Sequence, residues 1–190
     1  LRAKGNKLVD MTIIIKNWLT DMDGVLIHEE RALPGANEFI TTLREKEIPF
    51  LVLTNNSIFT PRDLSAPLES AGLSVPEENI WTSALATATF LAAQTQSRRA
   101  YVVGEAGLTT AMYEAGFVMT NSNPEIVVLG ETRTYSIDAL TQAIRLIDDG
   151  ARFIATNPDV TGPSAGGAIP ATRAVGAKIR AAPGKQPNNL

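Results

Sequence analysis

Short apolar runs alternate with amphipathic stretches along the first part of the chain. The apolar runs at residues 13–19 and 49–54 predict strands, and residues 35–46 and 61–71 repeat their apolar positions with helical spacing. Strands that are apolar on both faces and alternate with helices are typical of parallel βαβ units. The first part of the chain is therefore predicted to be an α/β unit with a parallel sheet.

The same alternation begins again near residue 84 and predicts a second α/β unit. Its predicted helices are residues 84–94, 108–115, 136–149 and 171–182, and its predicted strands are residues 99–103, 126–129 and 153–156. Gly72, Gly116 and Gly150 follow predicted helices, as is common at helix C-termini. Residues 157–170 hold several Gly and Pro and predict a loop.

The polar segment at residues 74–79, which contains Pro76, predicts the boundary between the two units. The expected order is a leader at residues 1–10, a first unit at 11–79, a second unit at 80–187 and a tail at 188–190. The leader is basic and lacks the apolar region of a signal peptide, so it is left out of the fold prediction.

Composition restricts the class of protein. The chain has 190 residues, of which 44% are hydrophobic, enough for a folded core. The net charge is −3 and the Lys and Arg residues are scattered, so neither nucleic acid nor a membrane surface is an expected partner. The chain has no cysteine, which fits the cytoplasm, and its apolar runs are too short to span a bilayer.

Two acids end the first predicted strand, in the sequence LTDMDGVL at residues 19–26. In a parallel α/β sheet, ligands bind at the carboxyl ends of the strands, where Asp21 and Asp23 would lie. The turn at Gly24 would let both carboxylates converge on a phosphate and a Mg²⁺ ion, with one aspartate as nucleophile and the other as proton donor. The alternative is an ordinary turn, because Asp and Gly often follow strands.

Neutral hydrogen-bonding groups end the second predicted strand. Thr54 and Asn55, followed by Asn56 and Ser57, would lie at the same edge of the sheet as the acids. Such groups bind a phosphate without adding charge. On its own the segment is better explained as a helix N-cap. Next to Asp21 and Asp23, a phosphate-binding role is the better interpretation.

The chain resembles the haloacid dehalogenase superfamily, specifically the phosphatases similar to NagD. The matching segments are DMDGV at residues 21–25, LPGA at 33–36, LTNN at 53–56, YVVGE at 101–105, VLGETR at 128–133 and ARFIATNPD at 151–159. The resemblance implies a partial doubly wound, Rossmann-like core in the first unit and an α/β cap in the second. It extends over nearly the whole chain.

The resemblance also implies a role for each candidate residue. Asp21 would form an aspartyl-phosphate and Asp23 would act as general acid and base, with the Asp21 carboxylate and the Asp23 carbonyl on Mg²⁺. Thr54, Asn55 and the backbone at Gly24 would bind the phosphate. In the cap, Asn157 and Asp159 would contact substrate, although a turn or capping role is an equal alternative. Glu131 and Arg133 would contact substrate or form a surface ion pair.

The expected function is Mg²⁺-dependent hydrolysis of a small phosphate monoester, either a sugar phosphate or a nucleoside monophosphate. Family members continue with a lysine and a further acidic pair, and the register assigns Lys185 to a turn rather than to that lysine. The 190-residue chain is therefore expected to be a weakly active or inactive fragment. The alternatives are a non-catalytic binding or dimerisation module and a phosphotransferase with an alcohol as acceptor. A homodimer joined through the cap is a further expectation.

Overall fold

The computed structural model describes residues 16–28, 31–158, 161–162, 169–170, 172–181 and 188–189. Its helices are α1 (Ala36–Glu45), α2 (Pro61–Ser70), α3 (Ser83–Gln94), α4 (Ala106–Glu114), α5 (Ile137–Asp148) and α6 (Thr172–Ala181). Its strands are β1 (Trp18–Asp21), β2 (Ile27–His28), β3 (Arg31–Ala32), β4 (Phe50–Thr54), β5 (Ile80–Thr82), β6 (Arg99–Val103), β7 (Val118–Met119), β8 (Ile126–Leu129), β9 (Arg152–Ala155), β10 (Thr161–Gly162), β11 (Ile169–Pro170) and β12 (Asn188–Asn189). The predicted leader and Lys185 lie outside the described residues.

The first sheet has the order β1-β4-β5, and both of its strand pairs are parallel. Its core includes Val52 on β4, Ile40 on α1 and Leu68 on α2, each almost fully buried. Burying an aliphatic side chain of this size contributes roughly 1.5–3 kcal/mol relative to exposure. This unit is the parallel α/β arrangement that the apolar runs predict.

Strand β5 is the element of the first sheet that the apolar pattern did not predict. Its three residues follow a single turn of 3₁₀ helix at Glu77–Asn79, and Val52 and Thr54 on β4 pair with Ile80 and Thr82. Such a short run gives too little periodicity to identify a strand. The first sheet therefore includes residues that follow the boundary proposed at residue 79.

The second sheet is parallel throughout and has the order β12-β9-β8-β6-β7. Leu91 of α3 and Leu108 of α4 pack on one face, while Leu146 of α5 and Ile179 of α6 pack on the other. Helices on both faces make this sheet doubly wound, and they bury all four residues of β8. The predicted α/β class is confirmed for both units.

Segments that the sequence assigned to a tail and to a loop form short strands instead. Asn188 and Asn189, assigned to a tail, form β12 and pair with β9. Within the predicted loop at residues 157–170, β10 and β11 form a short antiparallel pair. Neither segment has the apolar alternation that identifies a strand, so pairing with neighbouring backbone determines these elements.

Among the described residues, the longest helices have 12 residues, and none combines the length and the apolar character needed to cross a bilayer.

Candidate active site

The carboxyl ends of β1 and β4 lie side by side. Asp21 pairs in register with Leu53, and the N–H of Met22 donates to the Leu53 carbonyl at 3.0 Å. Thr54 is therefore beside the residue that separates the two acids. The sheet brings together the three side chains on which the sequence interpretation depends, Asp21, Asp23 and Thr54.

A tight turn anchored in the core holds the two acids. Met22 and Leu26 are buried on the inner side of the turn, and the Leu26 N–H donates to the Met22 carbonyl at 3.0 Å. Gly24 adopts φ 78°, in the left-handed region where a side chain is strained. Its N–H donates to the carbonyl of Ile27 at 2.8 Å, so a phosphate at this amide would compete with that bond.

The two carboxylates differ in their environment. One oxygen of Asp21 accepts the N–H of Met22 at 2.9 Å. Burial and then repulsion from Asp21 raise the pKa of Asp23 above its usual range, while a hydrogen bond from Thr54 lowers it in part. A carboxyl that holds its proton more tightly than usual suits a general acid.

Thr54 connects Asp23 to the loop that follows β4. Its hydroxyl donates to Oδ2 of Asp23 at 3.4 Å and accepts the N–H of Asn56 at 3.1 Å. Oδ1 of Asn56 in turn accepts the N–H groups of Ile58 and Phe59, both at 2.9 Å. These bonds fix the loop internally.

Asn55 lies in this loop and is tied to the second unit. Its carbonyl accepts the hydroxyl of Ser83, the first residue of α3, at 2.7 Å. The structure therefore places Asn55 next to Thr54 at the carboxyl edge of the first sheet, as the sequence predicts. Its role in binding phosphate stays a prediction.

The proposed substrate residues of the second unit also lie at strand ends. Asn157 follows β9, is 5% exposed, and donates from its side chain to Oε1 of Glu131 at 3.2 Å. The N–H of Glu131 donates to the hydroxyl of Ser57 at 2.9 Å. Through this bond the segment after β8 contacts the loop that follows Thr54. Asp159 lies outside the described residues.

The donor set at the site fits Mg²⁺ in part. Mg²⁺ usually takes one or two carboxylates together with substrate phosphate oxygens and water, and here the Asp21 carboxylate and the backbone carbonyl of Asp23 would supply protein oxygens. Within the described ranges, no group of three or more His, Asp or Glu side chains is placed to hold a metal ion. Among the described residues, no cationic side chain shifts the pKa of Asp23, so a metal ion would balance charge there.

Sequence reasoning missed the role of Ser57 in joining the two units. The polar run after β4 includes Ser57, but its contact with Glu131 spans 74 positions along the chain. No local sequence pattern predicts a contact between residues so far apart in the chain. Full burial of a serine between two polar neighbours is visible only in the folded protein.

Comparison with known proteins gives one family. A model described as haloacid dehalogenase-like hydrolase matches residues 18–118. A dihydroxyacetone phosphatase of Corynebacterium glutamicum is 61% identical over 177 residues, which are 93% of this chain and 64% of that protein. The ribonucleotide monophosphatase NagD of Escherichia coli K12 is 44% identical over 173 residues, which are 91% of this chain and 68% of that protein.

Solved structures agree with the sequence relatives. NagD from E. coli K-12 aligns with a TM-score of 0.86 at 42% identity, over 94% of this chain and 70% of that chain. A 4-nitrophenylphosphatase from Thermotoga maritima aligns with a TM-score of 0.86 at 33% identity, over 93% of this chain and 67% of that chain. The chain thus spans about two thirds of the length of these proteins, and 64% of the Corynebacterium relative. By sequence and by fold, the chain belongs to the haloacid dehalogenase-like hydrolases, in the group similar to NagD.

Proposed function

We propose that the protein hydrolyses small phosphate monoesters at the carboxyl ends of β1 and β4. The observation that carries the proposal is the arrangement of Asp21, Asp23 and Thr54, in which one acid raises the pKa of the other and the hydroxyl contacts the second acid. The protein belongs to a hydrolase family and its relatives are phosphatases by name, which supports the same reaction.

In the first step an oxygen of Asp21 attacks phosphorus, and the bond from phosphorus to the ester oxygen breaks. Asp23, which holds its proton more tightly than a free aspartate, gives that proton to the departing oxygen. Asp21 then carries the phosphoryl group as an acyl phosphate. In the second step Asp23 takes a proton from water and the water oxygen attacks phosphorus. The bond from phosphorus to the Asp21 oxygen breaks, so inorganic phosphate leaves and the Asp21 carboxylate is regenerated.

The remaining groups position the phosphate and balance its charge. Thr54 and Asn55 bind the phosphoryl oxygens with neutral donors, since phosphoryl transfer depends mainly on positioning and on electrostatic stabilisation. The Asp21 carboxylate and the Asp23 backbone carbonyl would hold Mg²⁺, which would supply positive charge beside the transferring group.

The names of two relatives support a proposal for the substrate class. The phosphatase with 61% identity is named for dihydroxyacetone, and the one with 44% identity is named for ribonucleotides. We propose a small sugar or polyol phosphate first and a nucleoside monophosphate second. A cytoplasmic location and a homodimer joined through the cap stay predictions.

The test is phosphate release by the protein expressed from its complete reading frame, with the 190-residue chain assayed beside it. The esters are dihydroxyacetone phosphate, uridine monophosphate and p-nitrophenyl phosphate, each with and without Mg²⁺. Release should depend on Mg²⁺ and disappear in Asp21→Asn, while acid-quench trapping should show an alkali-labile phosphoenzyme in the unmodified protein only.

The matched control is Asp63→Asn, because Asp63 is a carboxylate of the α2 capping box and takes no part in the site. It should keep at least about half of the turnover. The proposed function would be refuted if neither assayed form hydrolyses any of the three esters, or if turnover survives Asp21→Asn.

A further inference from the structure

The second sheet has its own switch point, at the carboxyl ends of β6 and β8. The chain leaves β6 toward β7 on one side and then enters β8 on the other side of β6. In open α/β sheets, ligands bind in the crevice at such a point, often at the N-terminus of the following helix. In this protein the crevice is filled by residues 57–59 of the loop that follows β4, here named the docking segment.

Ser57 occupies the strand-end side of the crevice. It is fully buried, and its hydroxyl oxygen accepts the N–H of Glu131 at 2.9 Å and lies 3.4 Å from the hydroxyl of Thr156. Glu131 follows β8 and Thr156 follows β9, so one serine contacts two neighbouring strand ends. A Cβ at Gly130 would lie 3.2 Å from the Ser57 hydroxyl oxygen, closer than ordinary packing.

The other end of the docking segment closes the N-terminus of α4. The N–H of Gly107 donates to the Ile58 carbonyl at 2.8 Å. A Cβ at Gly107 would lie 2.5 Å from the carbonyl oxygen of Phe59, so only glycine lets the two backbones approach this closely. The first turn of α4 thus binds a backbone carbonyl of the docking segment at the position where such folds bind an anion.

The docking segment is continuous with the loop that is proposed to bind phosphate. Asn56 accepts the N–H groups of Ile58 and Phe59 and donates its own N–H to Thr54. A displacement of Ser57 is therefore transmitted to Thr54 through bonds of fixed geometry. We infer that Ser57 is a positioning residue, through which the second sheet holds the Thr54–Asn56 loop in its binding conformation. The phosphate role of that loop rests on the proposed function.

The primary experiment is amide hydrogen exchange of the 190-residue chain, which requires no turnover. In Ser57→Ala, exchange at Glu131 should be faster by at least about ten-fold, and Asn56 and Ile58 should accelerate with it. The control is Ser70→Ala, an exposed serine whose hydroxyl bonds only a carbonyl of its own helix, and it should leave all three amides unchanged. Acceleration at Glu131 with unchanged exchange at Asn56 would overturn the inference.

A second variant covers the case in which Ser57→Ala does not fold. Thr156→Val keeps the shape of a buried side chain and removes the hydroxyl that faces Ser57. It should accelerate the same amides by a smaller factor, because a 3.4 Å contact is weaker than the Glu131 bond. Acceleration spread evenly over β6, β8 and β9 would instead indicate a purely structural role and would overturn the inference.

Kinetics separate positioning from loss of folded enzyme. In whichever of the two assayed forms hydrolyses the ester, Ser57→Ala should raise both the KM for the ester and the inhibition constant of inorganic phosphate by about ten-fold. A smaller folded fraction would lower kcat at unchanged KM. If the unmodified protein hydrolyses no ester, the proposed function fails, and the exchange pattern still decides whether the cap positions the loop.

Discussion

The hydroxyl of Thr54 donates to Oδ2 of Asp23 at 3.4 Å, across the ends of two neighbouring parallel strands. Thr54 is 6% exposed, whereas part of the Asp23 side chain is open to solvent. The same hydroxyl accepts the N–H of Asn56, so one buried side chain contacts both the candidate acid and the loop beyond β4. Thr54 therefore influences both the protonation of Asp23 and the position of the loop that is proposed to bind phosphate.

Replacing Thr54 by Val should raise the pKa of Asp23 further, because the hydrogen bond from Thr54 lowers that pKa in the unmodified protein. The substitution keeps the β-branched shape and removes the hydroxyl. The pKa is read from the carboxyl carbon of Asp23 by NMR titration. In the active protein, kcat/KM should fall by about ten-fold or more, as expected for a lost bond to a charged group. Thr54→Ser keeps the hydroxyl and should preserve both values; an unchanged pKa in Thr54→Val would contradict the argument.

Replacing Asp23 by Asn should stabilise the fold at neutral pH. Because the pKa of Asp23 is higher in the folded protein than in the unfolded chain, its favourable contribution is complete below the unfolded pKa and is lost as pH rises through the folded pKa. At pH 7 the ionised carboxylate therefore costs stability that Asn does not. Urea unfolding should show a higher free energy of unfolding for Asp23→Asn at pH 7.

The same difference should shrink as pH falls through the folded pKa of Asp23, and it should be absent below the pKa of a free aspartate, about 3.9. Asp63→Asn provides a control of opposite sign, because hydrogen bonds from Thr60 lower the pKa of Asp63. That variant should lose stability at pH 7. A gain for Asp23→Asn that is equal at both pH values would show that packing, rather than ionisation, causes it.

The sequence predicted the features that depend on local pattern. The apolar runs of β4 and β8 identify their strands. Glycines with positive φ follow α2, α4 and α5, at Gly72, Gly116 and Gly150. Two acids separated by one residue at a strand end are equally local. The neighbouring position of Thr54 follows from parallel pairing, which the same pattern implies.

The features that sequence could not predict depend on distant contacts. Strand β5 has three residues and β12 has two, and each is defined by its pairing with β4 or β9. The contact of Ser57 with Glu131 depends on how one unit packs on the other. The close approach of Gly107 to Phe59 is likewise not predictable, because the sequence of α4 has the pattern of an ordinary helix.

Replacing Gly107 by Ala should destabilise the protein, although Ala normally favours a helix over Gly. The new methyl would lie 2.5 Å from the Phe59 oxygen and 2.9 Å from the Ile58 carbonyl carbon, both backbone atoms that cannot rotate away. The loss should be about 1–3 kcal/mol, as for overpacked sites. Gly176→Ala in α6 is the control, since its methyl would meet its nearest atoms at 3.8–3.9 Å. Thermal unfolding should show a gain of about 0.5–1 kcal/mol there; equal effects of the two substitutions would contradict the close approach.

Replacing Thr60 by Ala should weaken the start of α2. Thr60 is the N-cap of a capping box, in which its hydroxyl accepts the N–H of Asp63 at 3.2 Å and donates to the Asp63 carboxylate at 2.7 Å. Loss of such a cap costs about 1 kcal/mol. Because these bonds lower the pKa of Asp63, its contribution is present above the unfolded pKa and is lost as pH falls through the folded pKa.

The cost of Thr60→Ala should therefore be larger at pH 7 than at a pH below the folded pKa of Asp63, where the carboxyl is protonated in both proteins. Urea unfolding at the two pH values measures the difference. Ser70→Ala in the same helix removes a hydroxyl that bonds the carbonyl of Ala66 and no carboxylate, so its effect should not depend on pH. If the Thr60→Ala cost is the same at both pH values, the box stabilises α2 through the backbone amide alone, and the charge of Asp63 contributes nothing.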